Sequence, residues 1–535
     1  MTRREARHSL SRRTFLAFTG ISTAAFVAGT GVPPHAAPTS SRVPADPFGL
    51  GVASGDPTPN SVVLWTRLAP EPLAEDGHGG MPSDDYTVEY EVATDERFRD
   101  VVTTGRAIAS AELAHSVHPH VTGLKPGREY YYRFRAAGEI SPTGRTRTAP
   151  AENAEPDSLA LAVASCQAWY HGHYTAYRDM AEQDLDLLLF LGDYIYEYGI
   201  TEANLLRGGA GDLGTAHAAA VLTLEQYRLR YSLTKSDTHL QAAHAHAPWV
   251  MIPDDHEVEN NYAGEASESG IPAEDFLRRR AVAYRALYEN LPLGPEALPA
   301  GPDMRLYRRL RFGRLAEFNV LDTRQYRHGT PADGGTPGGD HTGPDRSLLG
   351  QSQEEWLYSG LRASEATWNV LAQQVVMASI DRDPGSGVEY SMDMWDGFTA
   401  NRKRLFDTLT MHDVSNPLVL SGDIHRHAAA ELKSDFTDPA SATIGTELVA
   451  TSVASDGNGS DRDYLADIWL SNPHVKLYNA RRGYVRVTMT PSEVTSEFTM
   501  LDQIEADDSG TASVGARFVT EAGRPGLNQV SGGQQ

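Results

Sequence analysis

Cysteine is nearly absent. Cys166 is the single one in 535 residues, so no internal disulfide staples the fold. Stability must then come from core packing and from bound metals, and the lone thiol asks for a role of its own. Long apolar runs are also missing. Past the N-terminal region no stretch of about 18 uncharged apolar residues occurs, so nothing there reads as a membrane-spanning helix. Positive charge is scarce, with 47 Lys and Arg against 71 Asp and Glu and a formal net charge of −24. Such a surface repels a polyanion, and a stable nucleic-acid complex is not expected. No internal repeat is visible, and the length exceeds what one hydrophobic core organises, so two or more folded units are expected.

What is there begins at the N-terminus. Ser11-Arg12-Arg13-Thr14-Phe15-Leu16 precedes a mildly apolar run from Ala17 to Val32, and small residues follow at Ala36-Ala37. That order reads as a twin-arginine export signal over 1–37. It predicts a secreted or cell-wall-associated protein, with the twin-arginine translocase as a partner during export. The route carries folded proteins, which suits an enzyme that loads metals before crossing.

A linker, 38–45, leads into 46–148, where period-2 strands alternate with turn residues: Val62–Thr66, Thr87–Val92 and Tyr130–Phe134. Gly123-Leu124-Lys125-Pro126-Gly127 before Tyr130-Tyr131 looks like the corner of a fibronectin-like β-sandwich. From Ser158 the pattern changes to α/β: buried apolar strands at 159–164, 185–191, 249–252, 315–321 and 417–420, with helical spacing at 174–184 and 400–412. The catalytic domain is expected over 156–505, and 506–535 is expected to be a poorly ordered tail.

Three of these strands end in metal-ligating chemistry. Gly192-Asp193-Tyr194-Ile195-Tyr196, Asp254-Asp255-His256-Glu257 and Gly422-Asp423-Ile424-His425 each follow an apolar run. A carboxylate after Gly192 can bridge two cations, and the Tyr196 phenol, three residues on, can reach the same side. Asp423 and His425 are spaced to share a face. Asp255 offers a carboxylate beside the imidazole of His256. Together they read as a hydrolase site in which cations hold phosphoryl oxygens and activate water.

Gly-Asp-x-x-Tyr, Asp-Asp-His-Glu and Gly-Asp-x-His, in this order and with Ser165-Cys166-Gln167 ahead of them, resemble the PhoD-type alkaline phosphatase and phospholipase D family of calcineurin-like metallophosphoesterases. The resemblance covers about 46–500. It implies a metallophosphoesterase α/β sandwich of two mixed sheets flanked by helices, and a metal set of one Fe(III) with Ca(II). Carried onto this chain, it makes Cys166, Asp193, Tyr196 and His425 iron ligands and Asp193, Asp255 and Asp423 calcium ligands, with Asp255 and His256 as the catalytic pair. Pro253 departs from the Trp common before Asp-Asp-His in the family. An asparagine-type calcium ligand is expected from the 205–230 loop. The implied substrates are small phosphate esters or phospholipid head groups, and the protein is expected to be a monomer.

Each residue also has a plainer reading. Cys166 alone would be a small buried hydrophobe, and Gly-Asp or Asp-x-His alone would be turn chemistry. His171, His173, His244, His246 and His427 read as core or surface residues, and Arg178, Arg228 and Arg324 as structural, with Arg324 buried and paired. The rival functions are a Ca-dependent phospholipase D-like phosphodiesterase and, in another class, an inactive surface-binding module.

Overall fold

The protein is described here from a computed structural model covering residues 46–330, 339–383 and 385–532. The expected export signal and linker, 1–45, lie outside the described residues.

The N-terminal part supplies β1 (Val52–Gly55), β2 (Ser61–Arg67), β3 (Tyr86–Ala93), β4 (Val101–Ala109), β5 (Ser116–Val117), β6 (His120–Thr122), β7 (Glu129–Ala136), β8 (Glu139–Ile140) and β9 (Gly144–Arg147). Alternation decides the faces. In β7, Tyr130, Tyr132, Phe134 and Ala136 are buried while Glu129 and Arg135 are exposed, and they pack on Val62 and Leu64 of β2 across a two-sheet core. The Tyr130 hydroxyl accepts the backbone N–H of Lys125 at 2.9 Å, which closes the corner that the Gly123–Gly127 turn opens.

The catalytic part has two series. The first is β10 (Leu159–Ala164), α1 (Thr175–Ala181), β11 (Leu187–Leu191), α2 (Leu224–Lys235), α3 (Thr238–His246), β12 (Trp249–Ile252) and α4 (Ala273–Asn290). The second is β13 (Arg308–Phe312), β14 (Ala316–Val320), α5 (Gln351–Ala363), β15 (Trp368–Ala372), α6 (Thr399–Met411), β16 (Pro417–Ser421), β17 (His427–Lys433), β18 (Thr443–Val449), β19 (Gly459–Ser460), α7 (Ala466–Leu470) and β20 (Val475–Arg481). The chain closes with β21 (Gly483–Met489), β22 (Glu493–Leu501), β23 (Ala512–Glu521) and β24 (Arg524–Ser531).

One mixed sheet runs β24-β23-β22-β21-β10-β11-β12-β1-β2-β5, the other β13-β14-β15-β16-β18-β17-β20-β19. They face each other across the main core. In β15, Trp368, Val370 and Ala372 point into it, while Leu371 points the other way into a second core with Leu357 and Leu361 of α5 and Leu405 and Leu409 of α6. Within each sheet the central strands β10-β11-β12 and β14-β15-β16-β18 are parallel. Their carboxyl ends therefore open on one edge, where α/β enzymes place their chemistry.

Two expectations are corrected. The 46–148 segment is not a separate all-β unit, because β1 pairs in parallel with β12 at Gly55 and Trp249 and so continues the catalytic sheet. The join is buried: the indole of Trp65 donates to Glu289 O at 3.0 Å, and Arg67 donates to Ala114 O, Ser232 Oγ and Asn290 Oδ1. The segment 506–531 is not a loose tail either. β23 buries Ala516, Phe518 and Thr520 on alternate positions, pairs with β22, and carries β24 on its other side.

Candidate metal centre

The expected ligands leave four neighbouring strand ends. Cys166 follows β10, Asp193 follows β11, Asp254 and Asp255 follow β12, and Asp423 and His425 follow β16. The backbone there is unusual, with Cys166, Asp193, Asp423 and His425 all at positive φ, 56°, 61°, 66° and 55°. Left-handed conformations at non-glycine residues cost of order 1–3 kcal/mol each and persist where surrounding structure imposes them. Here the imposition is visible: Cys166 N donates to Gly192 O and Gln167 N to Asp193 O, both at 2.9 Å. The Glu257 carboxylate accepts the N–H groups of Asp193 at 3.2 Å, Tyr194 at 2.5 Å and Asp254 at 2.9 Å. One buried carboxylate thus fixes two ligand-bearing turns.

Three overlapping donor groups result, each with its ligand atoms within 4.8 Å of one another: Cys166, Asp193 and His425; Asp193, Asp255 and His256; Asp254, Asp255 and Asp423. Tyr196 joins the first, its hydroxyl 3.0 Å from Asp193 Oδ2 and 2.9 Å from His425 Nε2. All the expected site residues are therefore brought together. Asp193 and Asp255 each belong to two groups, the arrangement a bridging carboxylate needs.

Supporting residues fix the imidazoles. Nδ1 of His425 lies 2.7 Å from Asp456 Oδ2, and Nδ1 of His256 lies 2.7 Å from Glu197 Oε2. The His256 ring lies 4.2 Å from that of Tyr196, centroid to centroid. Ser455 Oγ donates to the Tyr196 hydroxyl at 2.7 Å.

The electrostatics are those of a cation cage. Burial, reinforced by Asp255 and Asp254, pushes Asp193 well above the usual carboxylate range, and burial with Asp254 does the same to Asp423. Burial raises Asp254 to about 6. Burial would also raise Asp255, but Arg324 and His256 hold it at about 2. Burial and Asp193 push the Cys166 thiol and the Tyr196 phenol up. For His256, burial is outweighed by Asp255, Asp193 and Glu197, and the ring is held well above its ordinary value. Asp193 Oδ1, Asp254 Oδ2 and Asp255 Oδ1 are buried without a hydrogen-bond partner, and such acceptors are rare unless an ion takes them. Their chemistry fits metals: thiol, imidazole, phenol and carboxylate at one end suit a transition metal, and all-carboxylate oxygen at the other suits a hard cation.

Sequence reasoning missed part of this. Arg324, expected to be buried and paired, lies just past β14 among the site carboxylates. It donates to Asp254, grips Asp393 with two bonds at 2.8 and 2.9 Å, and lies 3.5 Å from Asp255 and 3.4 Å from Asp423. Its place beyond a parallel strand was the available signal. Asp254 stood unassigned beside Asp255, and Asp393 sat in a segment read only as loop. No asparagine occurs in 205–230; Asn204, just before it, bonds Thr201 and Gly199 within its own turn. His427 and His244 are core residues, bonded to Thr499 O and the Tyr194 hydroxyl. His171 instead reaches the site's margin, where its Nδ1 accepts the Asp456 N–H at 3.0 Å. Pro253 lies between β12 and Asp254 and leaves the ligand positions intact.

Carboxylates, two imidazoles, a phenol and a thiol gathered at the ends of buried strands define a metal-dependent hydrolase. The family model described as PhoD-like phosphatase matches residues 161–498, and that of the PhoD-like phosphatase N-terminal domain matches 35–150; the chain belongs to the PhoD-like phosphatase family. Alkaline phosphatase D of Bacillus subtilis (strain 168) is 46% identical over 500 residues, 93% of this chain and 84% of that protein. A solved structure titled "Structure of PhoD" matches with a TM-score of 0.86 at 45% identity, covering 92% of this chain and 94% of that one.

Proposed function

We propose that this chain is a secreted alkaline phosphatase that releases phosphate from monoesters, and from diesters alongside them, using one Fe(III) and Ca(II) ions. The observation that carries the reading is the convergence of the Cys166, Asp193, Asp255, Asp423, His256 and His425 donors into overlapping groups with unpartnered carboxylate oxygens. Cys166, Asp193, Tyr196 and His425 would hold iron. Asp193, Asp255 and Asp423, joined by Asp254, would hold calcium. Bound there, the cations supply Lewis acidity for the phosphoryl oxygens and acidify water.

The chain's own residues do the rest. With Nδ1 turned to Glu197, His256 keeps Nε2 for the substrate, and the charge of Asp255 and Asp193 keeps the ring protonated. That Nε2 proton goes to the departing alkoxide. Arg324 spreads positive charge over Asp254, Asp255 and Asp423, which lowers their repulsion of an incoming phosphate. Optimum activity is expected at alkaline pH, because the attacking oxygen must be deprotonated. Similarity to an alkaline phosphatase supports the substrate class, and the twin-arginine pattern at Arg12-Arg13 supports export of a folded monomer.

The test is an assay of natively exported protein, with and without chelator, on p-nitrophenyl phosphate, its bis ester and phosphatidylcholine. Calcium-dependent release from the monoester is expected. Preference for phosphatidylcholine would replace this reading with a phospholipase D-like one, and inactivity on all three would leave a binding module.

A further inference from the structure

Beside the donor cluster lies a recess of about 180 Å³ lined by Ile380, Met394, Ile424, Leu465 and Trp469. Its position is set by the site itself. Ile424 stands between Asp423 and His425 in the chain, and Met394 follows Asp393, which grips Arg324. The recess therefore shares a wall with the residues that would hold the metals. Its lining is apolar, and Met394, Ile424 and Leu465 are only half-buried, left at the edge of the second core. A cavity of roughly 150 Å³ with such a lining takes up a benzene ring, so this one holds one ring or a short alkyl group and not a long acyl chain.

Two guanidinium groups edge it, those of Arg382 and Arg426. Arg426 is committed: it donates to Asp463 at 3.0 Å and to Ile424 O at 2.9 Å. Arg382 is not. Its side chain has no hydrogen-bond or ion-pair partner among the described residues, in a protein of net charge −24, where carboxylates to pair with abound. A half-buried cation left unpaired at the lip of an apolar recess is placed for an anion from outside.

We propose that this recess seats the alcohol half of the substrate, an aryl or short alkyl group, with Arg382 meeting an anionic substituent on it. The inference rests on the phosphatase reading above and deepens it by naming the substrate class. Phosphate esters of small apolar alcohols that carry a second negative charge would then be preferred over phospholipids.

Binding of n-alkylphosphonates to the metal-loaded full chain, followed by calorimetry, tests the recess without relying on turnover. Affinity is expected to rise roughly three- to fourfold per methylene from ethyl until the recess is full. Leu465→Trp, which fills it, should abolish that rise and leave ethylphosphonate binding unchanged. Binding of 5-carboxypentylphosphonate should exceed that of hexylphosphonate, and Arg382→Ala should erase the difference. A series flat in the unmodified protein, or equally steep in Leu465→Trp, overturns the proposal, as does a carboxylate effect that survives Arg382→Ala. Steep phosphonate binding without hydrolysis of alkyl phosphates would keep the recess and sink the phosphatase reading.

Discussion

The Tyr196 hydroxyl lies 2.9 Å from Nε2 of His425. These two residues come from different sheets, 229 positions apart, and each also faces Asp193 or Cys166 within the same donor group. The contact therefore joins the two halves of the catalytic fold at the site where iron is proposed. Tyr196→Phe removes one oxygen and leaves His425 Nε2 and Ser455 Oγ without their partner. Iron content by elemental analysis is expected to fall, and turnover to drop by a factor of about 100. Full iron occupancy in the variant would remove Tyr196 from the ligand set.

Arg324 is buried among carboxylates and answers four of them. Truncating one partner of such a network leaves uncompensated charge, and Arg324→Met should cost roughly 3–5 kcal/mol in denaturant unfolding. Arg324→Lys should recover little of it, because a single ammonium cannot reproduce the two-pronged grip on Asp393. A lysine variant as stable as the parent would show that charge alone, and not fork geometry, is what the carboxylates need.

His427 lies two residues past His425 yet belongs to the core. Its Nδ1 accepts the Thr451 N–H at 3.3 Å and its Nε2 lies 3.1 Å from Thr499 O, a pattern that only the neutral ring satisfies. Burial lowers it to about 4. A base lowered on folding binds fewer protons folded than unfolded, so its contribution is present above about 6.5 and is lost as pH falls through about 4. Unfolding measured between pH 7 and 4 should lose about 3 kcal/mol through this residue. His427→Phe should be less stable at pH 7 but flatter with pH, and an unchanged slope would contradict this role.

Gly192 shows how closely the ligand turns approach each other. It sits at φ +100°, and a Cβ there would lie 2.4 Å from the Cβ of Asp254. Gly192→Ala must push the β11 and β12 turns apart, and with them Asp193 and Asp254. Loss of bound metal and of phosphatase turnover is expected while circular dichroism stays near that of the parent. Retention of both metal and turnover would mean the two turns can separate without cost to the site.

Much of the site was legible because its residues sit at the ends of apolar strands, where a run such as Leu187–Leu191 announces the turn that follows. The two-sheet core was legible for the same reason. What escaped were residues whose role depends on contacts distant in sequence. Arg324 is 70 residues from Asp254 and 99 from Asp423, so nothing local marked it as the centre of the carboxylates. Glu197 lies next to Tyr196, but its bond to His256 spans 59 positions. The C-terminal strands were hidden differently: Ala516, Phe518 and Thr520 alternate as a strand should, but Gly523, Gly526 and the glycines after Ser531 suggested looseness. Sheet continuation through β1 could not be read at all, since Gly55 meets Trp249 only once both parts have folded.

The most direct test of the account is paired metal analysis and phosphatase assay of the parent protein and Asp193→Asn. Asp193 belongs to two donor groups, so its variant should lose iron and calcium together and keep less than about one tenth of the turnover on p-nitrophenyl phosphate. Turnover that survives the substitution, or that persists in fully chelated parent protein, would contradict the central claim that this cluster of carboxylates, imidazoles, phenol and thiol is a metal-dependent phosphatase site.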